Sequence, residues 1–159
     1  MNFSGKYLQI DSKYKIFLRE WLPNQKAEKN VFIIHGLGEH SGRYEDFAKN
    51  LTQKNIGVFC IDLIGHGKSN GKRGHIKSFE DYINAVENGI IYIRKKFLDT
   101  PIILFGHSLG GLICLKFLLD RESKEIEKAI ISSPWIETCL LYTSQSPRDQ
   151  RGYSMPTSA

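Results

Sequence analysis

An α/β fold, with a mostly parallel sheet covered by helices on both faces, is predicted from three observations. Short apolar runs that read as buried strands alternate with segments of helical spacing. Two of those strands run straight into Gly-rich turns, His35-Gly36-Leu37-Gly38 and Gly106-His107-Ser108-Leu109-Gly110. The length, 159 residues, with 41% hydrophobic and 25% charged side chains, suits one globular domain with one sizeable core.

Residues 5–10 and 14–21 read as two strands joined by a turn at Asp11-Ser12-Lys13. Residues 30–34 form a buried strand that ends in the first Gly-rich turn. Tyr44, Phe47, Ala48 and Leu51 recur at helical spacing, so a helix is expected over 43–53. A strand over 57–61 leads into a long loop, 62–77, rich in glycine. Ser78 reads as a helix N-cap with Asp81 in the capping-box position. Tyr82, Val86, Ile90, Ile93 and Phe97 supply the apolar stripe of that helix. Arg94, Lys95 and Lys96 stand where its dipole favours cations. A strand over 101–105, a helix over 109–120 and a strand over 128–132 complete the series.

The net charge of +5 and pI near 9.1 are mildly basic. The charges are scattered, which argues against a nucleic-acid-binding arm. Lys68, Lys72, Arg73 and Lys77 read as a solvated loop, with room for peripheral contact with a membrane surface. The three cysteines form no CxxC pair, and Cys60 and Cys114 sit in apolar runs as small core residues. The start carries no secretory signal, and the apolar stretch 101–119 is interrupted by His107, Ser108, Gly110, Gly111 and Lys116. A cytoplasmic location is therefore expected.

Composition changes near residue 138. Residues 1–138 hold 15 Lys and 19 Ile, and residues 139–159 hold neither. A tail of uniform composition would lack both with a chance of roughly 0.2%. From Cys139 to Asp149 the tail resembles the translated read-through of a sequencing adapter, CLLYTSPSPRD, with Gln145 in place of Pro. Residues 139–159 are expected to be a disordered, non-native appendage, and 1–138 a truncated core.

The chemistry points to Gly106-His107-Ser108-Leu109-Gly110. This is G-x-S-x-G between an apolar strand and a helix. The turn is so tight that glycine is needed two residues before and two after the serine. Its hydroxyl then stands exposed at a helix N-terminus, where the amides favour developing negative charge. Acyl transfer requires two backbone N–H donors aimed at the oxyanion. Leu109, just after the serine, and Leu37, in the loop His35-Gly36-Leu37-Gly38, are the expected pair.

Two other motifs fail on local grounds. Gly65-His66-Gly67-Lys68-Ser69 resembles the end of a phosphate loop, but Asp62 stands where the first glycine belongs and Asn70-Gly71 oppose the required helix. His35, Glu39 and His40 have one residue too many for a zinc motif, and Gly36 and Gly38 oppose its helix. Neither a metal nor a cofactor is expected. Glu39 and Arg43 read as a surface ion pair at helical spacing.

Residues 1–138 resemble the monoacylglycerol lipase and lysophospholipase-like branch of the α/β-hydrolases. The likeness rests on His35-Gly-Leu-Gly-Glu-His-Ser-Gly-Arg-Tyr44, Asp62-Leu-Ile-Gly-His-Gly-Lys-Ser69, Lys72-Arg-Gly-His75 and Gly106-His-Ser-Leu-Gly-Gly111. It implies an eight-stranded sheet of which six strands are present, the lid and last strands being absent. It also implies a serine esterase acting on monoacylated lipids or similar small esters, without cofactor. Ser108 is then the nucleophile, with Leu37 and Leu109 as oxyanion donors. Triad order in this fold is serine, acid, histidine, and no histidine follows Ser108. An unassisted serine is a poor nucleophile, so this chain is expected to be nearly inactive. A non-catalytic binding protein, a thioesterase and an aminopeptidase of the same fold remain alternatives. The missing strands would leave 128–132 as an open edge, through which the fragment is expected to self-associate.

Overall fold

A computed structural model describes residues 1–136. The expectations for residues 139–159 lie outside the described residues. Six strands form one sheet: β1 (Asn2–Gln9), β2 (Lys15–Leu22), β3 (Lys29–Ile34), β4 (Ile56–Ile61), β5 (Ile102–His107) and β6 (Ile126–Ser132). Three helices accompany them: α1 (Glu45–Thr52), α2 (Phe79–Lys96) and α3 (Leu109–Asp120). The sheet order is β1-β2-β4-β3-β5-β6, antiparallel along β1-β2-β4 and parallel from β4 to β6. The expected fold class is what the chain adopts.

Alternation along the strands separates two apolar layers. Ile16, Leu18, Phe32, Ile34, Phe59, Ile61, Ile102 and Leu104 face α2 and α3. Trp21, Val31, Ile33, Val58 and Cys60 face Ala48 of α1. Cys60 and Cys114 are free and buried, and burial pushes both thiols up, which keeps them unreactive.

The elements depart from expectation mainly at their ends. β1 starts at Asn2 rather than Gly5, because antiparallel pairing runs on to Asn2 opposite Leu22 without needing apolar side chains. The helix expected over 43–53 is split into a 3-10 turn, Ser41–Tyr44, and α1, Glu45–Thr52. Ser78 does cap α2, its hydroxyl accepting the Glu80 N–H at 3.3 Å rather than that of Asp81.

One buried charge ties the antiparallel edge to α2. Glu20 of β2 points toward the helix and accepts from Ser4 Oγ (2.6 Å), Tyr92 Oη (3.0 Å) and Lys96 Nζ (2.8 Å). Burial pushes its carboxyl up, and these partners outweigh that, leaving it below the usual range.

The topology locates a crevice. From β3 the chain passes through α1 to β4 on one side. From β5 it passes through α3 to β6 on the other. Since α1 and α3 lie on opposite faces, the loops leaving β3 and β5 diverge, opening the switch point where α/β sheets bind ligands.

Candidate active site

The carboxyl ends of β3 and β5 are in register, Ile34 opposite Gly106, which brings the two Gly-rich turns together. Ser108 begins α3 with φ 53° and ψ −118°. A residue with a side chain holds such a conformation only under constraint, at a cost of about 1–3 kcal/mol. The constraint is hydrogen-bonded. Ser108 N–H donates to Ser132 O at 3.0 Å, and its carbonyl accepts from Leu112 N–H and Trp135 N–H, both at 3.1 Å. The turn leaving β6 therefore clamps the serine from both sides.

Glycine is sterically required on either side. A Cβ on Gly106 would lie 2.6 Å from Gly110 O and 2.7 Å from Cys114 Sγ. A Cβ on Gly110 would lie 2.6 Å from His35 O and inside contact distance of Ile34 O. Both positions are packed against backbone, as the turn geometry demands.

The loop leaving β3 passes beside the serine. A Cβ built on Gly36 would lie 3.2 Å from Ser108 Cβ, 3.3 Å from Glu39 Oε2 and 3.5 Å from His107 Cδ2. Leu37 is next, 49% exposed, while Leu109 is buried in the first turn of α3. Among the described residues neither the Leu37 nor the Leu109 amide has an acceptor. Gly38 turns the loop with φ 72°. His107 places Nδ1 3.3 Å from Ser132 Oγ. A cleft of about 480 Å³, lined by Leu37, His40, His66 and Arg73 among others, opens beside this loop.

His35 is buried and bridges two loops. Leu63 N–H donates to Nε2 at 3.0 Å, so Nδ1 carries the proton and donates to Gly36 O at 2.8 Å. Burial pushes its pKa down to about 4, helped by the neighbouring His66 ring. A base whose folded pKa lies below its unfolded value binds fewer protons folded than unfolded. Stability is therefore full above about pH 6.5 and falls as pH drops toward 4. Urea midpoints measured at pH 7.5 and 4.5 should show this fall, and His35→Asn should flatten it.

Three contributors lie outside the expected site residues. Glu39, expected as a surface ion pair, is mostly buried: its carboxylate accepts from Gly36 N–H (2.9 Å) and Tyr44 Oη (3.2 Å), with Arg43 Nε at 3.6 Å. Burial pushes that carboxyl up, and the Gly36 amide, Tyr44, Arg43 and His107 together bring it below its usual value. Asp62 is buried and accepts from Ser41 N–H at 2.6 Å and Lys68 N–H at 2.7 Å, tying the long loop to the end of the β3 loop. The third is the turn after β6. No side-chain pattern foretells a clamp made of backbone groups.

Among the described residues no acid or histidine C-terminal to Ser108 stands near it. Asp120, Glu122, Glu125 and Glu127 lie at the end of α3 or the start of β6, at the opposite end of the sheet. Glu137 and Asp149 lie outside the described residues. No group of three or more His, Cys, Asp or Glu side chains able to hold a metal occurs among the described residues.

Known proteins share this arrangement. The family model described as serine aminopeptidase S33 (Hydrolase_4) matches residues 25–148. A monoglyceride lipase homolog of monkeypox virus is 40% identical over 112 residues, 70% of this chain and 40% of that protein. Human monoglyceride lipase is 33% identical over 132 residues, 83% of this chain and 41% of that protein. The solved monoacylglycerol lipase of Paleococcus ferrophilus superimposes with TM-score 0.61 at 38% identity, covering 74% of this chain and 43% of that one. The match thus spans about two fifths of the length of each of these two curated relatives. No helix among the described residues is long and apolar enough to cross a membrane. Strand order, strained serine turn and family match together identify the chain as a member of the α/β-hydrolases of the serine aminopeptidase S33 type.

Proposed function

We propose that this chain is the nucleophile-bearing part of a serine ester hydrolase whose substrates are monoacylated lipids. The observation that carries the reading is Ser108 held at positive φ beside Gly36, with the Leu37 and Leu109 amides in the same two turns and without acceptors among the described residues. In the reaction, Ser108 Oγ attacks the ester carbonyl carbon, and the carbonyl π pair moves onto oxygen. The Leu37 and Leu109 N–H groups receive that oxyanion. A general base takes the serine proton and returns it to the departing alcohol, and water then releases the acyl group.

That base is not among these residues, since no histidine follows Ser108 in the sequence. The reading therefore assigns the base and its acid to a longer parent, makes 1–138 a truncated core, and makes 139–159 non-native. The substrate class rests on the monoglyceride lipases among the relatives. Peripheral contact with lipid, through the Lys68–Lys77 loop, and residence in the reducing cytosol belong to the same reading. A second reading, hydrolysis of an amide, draws on the description of the family model.

The test compares the parent with this chain. A fluorophosphonate probe should label Ser108 in the parent, and 1-monoacylglycerol should be cleaved. This chain alone should run at least about a thousandfold slower, because a serine without its base keeps little of its power. A parent that takes no label at Ser108 would be a binding protein. A chain of 159 residues that hydrolyses ester at the parental rate ends the truncation reading.

A further inference from the structure

We infer that Glu39 is a positioning residue that aims the Leu37 amide by gripping Gly36 at both ends. This rests on the hydrolase reading for its catalytic consequence but not for its geometry. The Glu39 carboxylate accepts the Gly36 N–H at 2.9 Å, while its own backbone N–H donates to Gly36 O at 3.3 Å. Gly36 O also accepts from His35 Nδ1 at 2.8 Å. The Gly36 carbonyl and the Leu37 N–H belong to one planar peptide and point in opposite directions. Fixing the carbonyl therefore fixes the amide.

The grip is anchored to the strand that delivers the serine. Tyr44 Oη donates to Glu39 Oε2 at 3.2 Å, and the Tyr44 ring packs edge-on to Phe105 of β5, centroids 6.5 Å apart. Arg43 is the lesser partner, at 3.6 Å and largely in solvent, where an ion pair contributes little. The carboxylate thus couples the loop after β3 to the end of β5, across the crevice where an ester would lie. Without it the Gly36 N–H loses its acceptor, Gly36 is held only through its carbonyl by the residue 39 N–H and His35 Nδ1, and the loop that carries the Leu37 amide is less firmly fixed.

Hydrogen exchange of the 159-residue chain at low micromolar concentration tests the grip directly. Glu39→Ala should speed exchange at Gly36 at least about tenfold, the size expected for losing a bond to a charged acceptor. Glu39→Gln, which keeps an acceptor oxygen, should stay within about threefold of wild type, and Arg43→Ala should change nothing. Amides of β3 such as Phe32 should keep their rates. Unchanged exchange at Gly36, or equal acceleration at Phe32, overturns the grip.

In the full-length parent, Glu39→Ala should lower kcat at least about tenfold with KM within about twofold, and Glu39→Gln should restore most of it. A loosened Gly36 with unchanged kcat overturns the catalytic role. Turnover that survives Ser108→Ala defeats the hydrolase reading instead, and the exchange result still decides the grip.

Discussion

Gly110→Ala should cost this chain more than about 3 kcal/mol of folding stability, the upper range for forcing an extra carbon into a packed core. The added Cβ would meet the Ile34 and His35 carbonyl oxygens, which are backbone and belong to the end of β3. Neither can yield unless α3 or β3 moves. The expected melting temperature falls by roughly 10 °C or more for a domain of this size. Ser108→Gly should do the reverse. Glycine adopts φ 53° without the penalty that serine meets, so stability should rise by about 1 kcal/mol. Ser108→Ala, which keeps the Cβ, should not share the gain. Thermal melts of the three variants beside wild type decide the matter, and a Gly110→Ala protein that melts like wild type refutes the packing described between α3 and β3.

Self-association is the second large effect. β6 pairs only with β5, and no strand covers its outer edge among the described residues. Ile130 of β6 is 50% exposed, on the face it shares with half-buried Phe105 and with Phe47 of α1, itself 43% exposed. An unpaired edge beside an uncovered apolar strip is a template for a further strand. The expected occupant in the isolated chain is the same edge of a second copy. At tens of micromolar, light scattering should give masses above the monomer's 18.2 kDa. Ile130→Lys should bring the mass down, because charge on an edge opposes strand addition. A monodisperse wild-type monomer with a cooperative melt at that concentration contradicts the expectation.

Much of this molecule is legible in one dimension, and the parts that are not share a cause. The strands β3 and β4 announce themselves because both faces are buried, so their residues are almost uniformly apolar, and β5 reads as apolar although one of its faces is only half-buried. The Gly106–Gly110 turn is readable because its packing excludes side chains at fixed spacing. α3 keeps its expected limits, Leu109–Asp120, since a strand and a tight turn deliver it. By contrast the first residues of β1 are solvent-exposed, so the hydrophobic pattern starts later than the hydrogen bonds do. The insertion of β4 between β2 and β3 leaves no local mark at all. Glu39 reads as a surface acid because helical spacing pairs it with Arg43. Only the approach of Gly36 and Tyr44 gives its carboxylate better partners. The hold on Ser108 by Ser132 and Trp135 uses main-chain atoms alone, which every sequence possesses.

That hold bears on how the protein is made. Translation proceeds from the N-terminus, and N-terminal segments are free to fold while later ones are still being added. The contacts that strain Ser108 are complete once the segment through Trp135 has left the ribosome. On the proposed reading, the histidine that arms the hydroxyl has yet to be synthesised at that moment. The nascent polypeptide would then assemble its attacking group in a harmless state, with reactivity arriving only as the rest of the polypeptide emerges.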